Sequence, residues 1–150
     1  VFETCGMFDK KFEGMRMGDG EFGLRAHRTG ILSISNPEAK RVHLKIAKGG
    51  LRQMGSWDAL RPTNIINPRP IPSVLYFSRK YFGNQRTVKY LLMNIPFSFT
   101  SYRRKGSAIG RIGSFILLII IFPVVALQII WSWKRSSKML WIGSKIPKLV

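Results

Sequence analysis

An uncharged run of 19 residues, from Phe115 to Trp133, constrains this chain more than any other feature of its sequence. At about 1.5 Å per residue, a helix of that length measures about 28 Å, close to the roughly 30 Å hydrocarbon core of a bilayer. Apolar residues occupy every face of this helix, so no amphipathic stripe marks a side that would face a soluble core. The run therefore predicts one transmembrane helix, which we place within residues 106–134, with a kink at Pro123.

The residues that flank the run are those typical of a membrane–water interface. Two indoles close the run and basic residues follow them, which is how a membrane span usually ends. Basic residues also precede the run, so the excess of positive charge gives no orientation. The predicted lipid-interface residues are Arg103, Arg104, Lys105, Arg111, Trp131, Trp133, Lys134 and Arg135.

Two other interpretations of the run were weighed. A cleaved signal peptide is excluded by position, because the run begins at residue 115. A buried helix of a soluble domain stays open as the less favoured alternative.

Small residues at the start of the helix predict close packing against another helix, although a flexible hinge is an alternative. These residues are Gly106, Gly110, Gly113 and Ser114.

The charge of the chain is high and unevenly placed. It has 25 Lys and Arg against 7 Asp and Glu, a net charge of +18. Residues 1–21 carry a net charge of −2, which leaves +20 on the rest. Every charged residue after Asp58 is basic. Such a field attracts anionic lipids such as cardiolipin, acidic subunits or nucleic acid. Beside a predicted span, lipid and protein partners are favoured and nucleic acid is unlikely.

Residues 1–61 predict little regular structure. Residues 1–30 are expected to be irregular, with one short helix at most. The stretch "GDGEFG" (18–23) matches a dinucleotide-binding pattern formally, but it lacks the preceding buried strand, so we expect a flexible turn. Residues 31–61 predict a β-hairpin with strands at 31–35 and 42–46 joined by a turn at 36–39, and then a short helical turn.

The remaining segments also predict an extended chain. Four prolines between positions 62 and 72 favour a polyproline-like strap. Aromatic and basic residues interleave from 76 to 90, which indicates contact with a membrane interface or, as an alternative, stacking on single-stranded RNA. We place the strap and this segment at 62–105 and a basic tail at 135–150. The predicted fold class is a single-pass α-helical membrane protein whose soluble part is mostly extended or irregular, with one short β-hairpin and short helices.

The sequence gives little basis for catalysis. Cys5 is the single cysteine, so no disulfide forms within the chain, and nothing places it near His27 or His43, the two histidines. No paired carboxylates, metal-ligand spacing or phosphate-binding loop is evident. We therefore expect a protein that is not an enzyme, with no catalytic residues, no cofactor, no metal and no small-molecule substrate.

These features together favour a non-catalytic accessory subunit of a multi-subunit organellar membrane complex. The mitochondrial inner membrane, with a respiratory-chain complex or ATP synthase as host, is the preferred location. A thylakoid photosystem subunit and a membrane-tethered RNA- or ribosome-binding protein are the alternatives.

Overall fold

The computed structural model describes residues 1–40, 60, 64, 66–99 and 108–148. Within them the chain is mostly helical and divides into two compact units. The first unit contains residues 1–53 and 144–150, and the second contains residues 54–143. The helices are α1 (Phe2–Cys5), α2 (Gly18–Arg28), α3 (Pro72–Asn94) and α4 (Ala108–Ile142), with short 3-10 helices at Lys10–Phe12 and Pro96–Phe99.

The predicted fold class is wrong. It expected a mostly extended or irregular chain with a β-hairpin around one transmembrane helix, whereas the described part is mostly helical and has no β-strand. The first predicted strand, 31–35, has no ladder partner, and its Leu32 and Ile34 side chains are exposed. The turn at 36–39 is present, since the amide of Ala39 donates to the carbonyl of Asn36 at 3.2 Å. The second predicted strand, 42–46, lies outside the described residues.

α2 forms where the sequence predicts a flexible turn, and that prediction is wrong. Acidic Asp19 and Glu21 occupy its first turn and basic Arg25 lies in its last turn, the distribution that favours a helix dipole. Glu21 and Arg25 also pair one turn apart, at 3.1 Å between Oε2 and Nη2. These interactions offset the cost of the helix glycines, which is about 1 kcal/mol each relative to alanine.

The first unit joins residues from both ends of the sequence. The buried carboxylate of Asp9 accepts hydrogen bonds from the amides of Lys11 at 3.0 Å and Lys145 at 2.9 Å. The amide of Met7 donates to the carbonyl of Pro147 at 2.9 Å. Residues 144–148, predicted as part of a basic tail, are therefore held against the N-terminal segment by backbone hydrogen bonds.

α3 consists of two helical halves that meet at Gly83. Pro72 occupies the first turn, where its fixed φ suits a helix, so the last proline of the predicted strap begins a helix instead. Gly83 has φ 81° and ψ 170°, which is outside the helical region. Ser78 and Thr87 would lie about 13 Å apart along a straight helix. Their hydroxyl oxygens are 2.8 Å apart, so the second half of α3 folds back at Gly83.

α4 ends eight residues beyond the predicted end of the transmembrane helix at 134. Its 35 residues continue through Pro123 and past the basic residues at 134–138. The helix ends at Gly143, whose φ of 77° is readily accessible to glycine and whose amide donates back to the carbonyl of Met139 at 3.2 Å. At about 1.5 Å per residue the helix measures about 52 Å.

The second unit is organised by the packing of α3 against α4. Its buried apolar cluster takes residues from both helices and from the segments beside them. Tyr90, Ile121, Ile129 and Trp133 pack around this cluster and are only partly buried. The cluster contains Leu60, Leu75, Leu91, Ile95 and Val125.

Candidate functional site

The buried stripe of α4 is unusually polar. Gln128, Ser132 and Ser136 are buried, and both serines have 0 % exposure. They continue the stripe that begins at Val125 and ends at Met139, with steps of three or four residues. This spacing keeps all five residues on one side of the helix.

The proline-containing segment at residues 68–71, just before α3, forms hydrogen bonds with this polar stripe. The Ser132 hydroxyl donates to the carbonyl of Pro70 at 2.5 Å. The amide of Arg69 donates to the carbonyl of Gln128 at 3.3 Å. The segment therefore contacts α4 through polar groups, and the hydroxyl of Ser132 supplies one of them.

Arg79 joins α3 to the carboxyl-terminal part of α4. Its Nη1 donates to the hydroxyls of Ser136 and Ser137, each at 2.8 Å, and its Nε donates to Asn84 Oδ1 at 2.8 Å. Its Cζ lies 4.1 Å from the centre of the Trp133 ring, a cation–π contact. Burial lowers the pKa of the Arg79 guanidinium below its ordinary value. Trp133, one of the predicted lipid-interface residues, is half-buried beneath this arginine.

The opposite side of α4 is apolar and exposed. Leu127 is 68 % exposed and Ile120 is 71 % exposed, although both lie in the middle of the helix. Exposed aliphatic and aromatic residues extend along most of the helix: Ile109, Ile112, Phe115, Ile116, Ile119, Phe122, Ile130, Trp141 and Ile142. A helix in water buries its apolar side and exposes its polar side. Between Phe115 and Trp133 of α4 this distribution is inverted, because Gln128 and Ser132 are buried while most of the apolar residues are exposed.

The length and composition of α4 are also compatible with a membrane span. Among the described residues, one segment, Ile119–Ile142, is long and apolar enough to cross a bilayer, and 22 % of its most apolar window is buried. Length and composition alone are weak evidence, because the core helix of a soluble protein passes the same test. A core helix would be mostly buried, whereas most of this one is exposed.

An apolar groove of about 580 Å³ lies between the second half of α3 and α4. Val88, Leu91 and Leu92 form part of one wall. The other wall is formed by six residues of α4: Phe122, Val125, Ile129, Ile130, Trp133 and Lys134. Lys134 carries the single charged side chain among the residues that line it. The groove is therefore a hydrophobic surface with one cation at its edge.

The other predicted interface residues have varied positions. Trp131 and Arg135 are exposed and pair with each other, with the Arg135 Cζ 4.7 Å from the centre of the Trp131 ring. Arg111 lies within α4. The prediction for Arg103, Arg104 and Lys105 concerns residues outside the described part. The role of all these residues in binding lipid stays a prediction.

The predicted helix-packing residues precede the packed part of α4. Gly113 is exposed, and a Cβ there would meet no atom within 4 Å. Gly110 is half-buried, Ser114 lies within the helix, and Gly106 lies outside the described residues. The described packing contacts of α4 include those at Gln128, Ser132 and Ser136, which the sequence did not indicate. Their spacing of four and four residues, with a small or polar residue at each position, is a pattern that can mark such a contact.

The residues considered for chemistry differ in their exposure. Cys5 is buried and His27 is exposed on α2, while His43 lies outside the described residues. Among residues 1–40, 66–99 and 108–148, no three His, Cys, Asp or Glu side chains form a group suited to a metal ion.

Comparisons with known proteins give partial similarity to curated proteins. No protein-family model and no solved structure matches this chain. The chain is similar to a DNA-directed RNA polymerase subunit beta of Desulfosudis oleivorans, with 28 % identity over 91 residues. The match covers 61 % of this chain and 6 % of the polymerase subunit. At this identity and coverage, the match leaves the family of the chain undetermined.

Proposed function

We propose that this chain is a non-catalytic subunit of a multi-subunit membrane complex, in which α4 crosses the bilayer. The observation that carries the proposal is the inverted helix. Its Ser132 and Ser136 are buried, whereas Ile120 and Leu127 are exposed. A bilayer has no water to satisfy polar groups, so a helix in lipid directs small polar residues inward and aliphatic residues outward.

The charge of the chain supports the same proposal. Lys134 and Arg135 follow the uncharged run, and Trp131 lies one turn before Arg135. This arrangement suits a headgroup region with anionic lipid, where each nearby Lys or Arg contributes about 1 kcal/mol of attraction. The proposed location is an organellar membrane, with the mitochondrial inner membrane preferred to the thylakoid.

Exposed apolar side chains on both units support the proposed role as a subunit. Each is small, and the described part of each presents exposed apolar side chains, such as Phe8 in the first unit and Ile120 in the second. Contiguous exposed apolar surface marks contact with a membrane or another protein. A subunit that wraps neighbouring chains would cover the exposed apolar side chains of both units.

The test is the behaviour of the full chain in its own membranes. Carbonate extraction should leave it in the membrane pellet, and solubilisation in mild detergent should give a native-gel band far above 17.2 kDa. Mass spectrometry of that band would identify the host complex. Release by carbonate, or migration as a free monomer, would contradict the proposal.

A second candidate is a nucleic-acid-binding protein, which the partial similarity to a DNA-directed RNA polymerase subunit favours. The net charge of +18 is also suited to phosphates. However, two residues of the aromatic–basic segment are already occupied. Tyr76 is 1 % exposed, and Arg79 binds Ser136 and Ser137. This candidate predicts RNA or DNA binding that weakens steeply with salt and depends on Lys80 and Arg86.

A further inference from the structure

The groove between α3 and α4 has a shape that limits its occupants. Its volume of about 580 Å³ is within the range of roughly 300–1,000 Å³ that is typical of sites for single small ligands. Its α4 wall runs from Phe122 to Lys134, a rise of about 18 Å along the helix axis. One leaflet of a bilayer has a hydrocarbon thickness of about 15 Å, half of the full core. The groove therefore has the length of one lipid acyl chain.

A helix from another protein fits this groove poorly. A segment of helix 18 Å long and about 10 Å wide occupies roughly 1,400 Å³, more than twice the volume of the groove, so only one face of it would enter. A single hydrocarbon chain is much narrower and contacts both walls at once.

The charge at the edge of the groove selects the headgroup. Val88, Leu91, Leu92, Phe122 and Ile129 offer the ligand only hydrocarbon, and Lys134 is the charged residue among the described residues of the lining. Among the described residues that line the groove, none carries a carboxylate. In addition, the sequence has no acidic residue after Asp58. An anionic group at the Lys134 end is therefore favoured over a cationic one.

We infer that this groove binds one acyl chain of an anionic phospholipid, with the phosphate of the lipid beside the Lys134 ammonium. The inference rests on the proposed function, because it assigns a specific lipid site to the proposed membrane subunit. The lipid covers hydrocarbon that α3 and α4 leave open between them and so completes the packing of the second unit.

The experiment is a lipid titration of the delipidated full chain in detergent, followed by native mass spectrometry. The probes are dipalmitoyl phosphatidylglycerol and dipalmitoyl phosphatidylcholine, which share their acyl chains and differ in net charge. We expect one phosphatidylglycerol bound per chain, at least tenfold more tightly than phosphatidylcholine. Equal affinity for the two lipids, or no retained lipid, would overturn the inference.

Two variants separate the chain-binding and headgroup-binding parts of the site. Val88→Trp places a large ring at the partly exposed wall of the groove and should weaken both lipids at least fivefold. Lys134→Glu should weaken phosphatidylglycerol alone and abolish the tenfold preference. The matched controls, Val124→Trp and Lys138→Glu, change exposed residues of α4 that do not line the groove and should leave binding unchanged. Equal losses in variants and controls would contradict the site.

Carbonate extraction of the same proteins separates this inference from the proposed function. If the chain stays in the membrane pellet but shows no selective lipid, the lipid site is wrong and the membrane subunit stands. If carbonate releases the chain and selective lipid binding persists in detergent, the site stands and the proposed function fails. If Val88→Trp disrupts the large native-gel assembly while lipid binding is unchanged, a partner protein occupies the groove and the inference is overturned.

Discussion

Helices α2 and α4 expose different kinds of side chain, although both bury polar groups. In α2 the exposed positions include Asp19, His27 and Arg28, while Ala26 and the paired Glu21 are buried. In α4 the serines of the packed stripe are buried, and isoleucines such as Ile120 and Ile130 are exposed. The two helices belong to different compact units of one chain. The degree of exposure therefore does not show which medium a helix faces. The exposed side chains of α2 are suited to water, and those of α4 are suited to an apolar medium.

The two helices also use different polar anchors. α2 depends on a buried ion pair, in which Glu21 is fully buried and Arg25 also donates to the carbonyl of Met7 at 2.7 Å. Apart from Arg79, the buried polar contacts of α4 use uncharged hydroxyl and amide groups. Neutral polar groups are less costly than charges to place in a hydrocarbon environment. The comparison therefore predicts different responses to mutation in the two units.

The largest effect on stability is expected in the first unit, from Arg25→Met. This change removes the cation that faces the buried Glu21 carboxylate, and breaking one side of such a pair costs about 3–5 kcal/mol. Hydrogen exchange at the Met7 and Thr29 amides, both of which are hydrogen-bonded in the first unit, should accelerate strongly.

The controls for this prediction are His27→Ala, which changes an exposed residue of α2, and the double variant Glu21→Gln/Arg25→Met. His27→Ala should alter stability by less than about 0.5 kcal/mol. The double variant should recover most of the loss, because no buried charge remains. Unchanged exchange in Arg25→Met would show that the ion pair does not hold this unit together.

The next largest effect is expected from Leu127→Lys, on the exposed apolar side of α4. If that side faces lipid, a lysine near the middle of the span raises the free energy of insertion by about 2.5–3.5 kcal/mol. The fraction of the chain that resists carbonate extraction should fall. His27→Lys, on an exposed position of α2, is the control and should leave that fraction unchanged. Equal membrane retention of both variants would argue that Leu127 does not face lipid.

A smaller loss is expected from Ser132→Ala, although this change makes the helix more apolar. It removes the donor to the buried carbonyl of Pro70, and the loss of such a partner costs about 1–3 kcal/mol. The melting temperature of the full chain in detergent should fall. Ile130→Val, a conservative change on the exposed side, should leave it nearly constant. A melting temperature unaffected by Ser132→Ala would show that the polar stripe does not stabilise the packing.

The smallest effect is expected from Asp9→Ala in the first unit. The carboxylate receives the amides of Lys11 and Lys145, and the loss of a comparable capping group costs about 1 kcal/mol. The Lys145 amide should exchange faster with solvent. Glu13→Ala, at an exposed position nearby in sequence, is the matched control. Similar exchange in the two variants would mean that Asp9 does not retain residues 144–148.

The sequence allows only part of this fold to be predicted. The long apolar helix is evident from Phe115–Trp133, but its carboxyl-terminal end is not, because Lys134, Arg135 and Lys138 resemble the end of a span. The helix continues since Ser136 and Met139 are buried on its packed stripe. That burial depends on tertiary contacts, such as those of Arg79, which a local pattern does not contain.

The sequence does not indicate helices α2 and α3, for related reasons. In α2, three glycines within six residues favour a turn, and the helix depends on the Glu21–Arg25 pair and on the packing of Phe22 against Phe8, with ring centres 4.5 Å apart. In α3, the break at Gly83 interrupts the helical periodicity, so the apolar residues of its two halves do not form one stripe. The candidate groove combines residues about 40 positions apart, and no local pattern in the sequence indicates it.

The most direct test of the membrane-facing surface is a spin-label accessibility scan of α4 in vesicles that contain phosphatidylglycerol. Cys5 is the single cysteine, so a Cys5→Ala background allows one label at a time. Labels at Ile120 and Leu127 should collide readily with oxygen and rarely with a water-soluble nickel chelate, whereas a label at the exposed Arg28 of α2 should show the reverse. Ready access of the nickel chelate to Ile120 and Leu127 would contradict the central claim that this side of α4 lies in lipid.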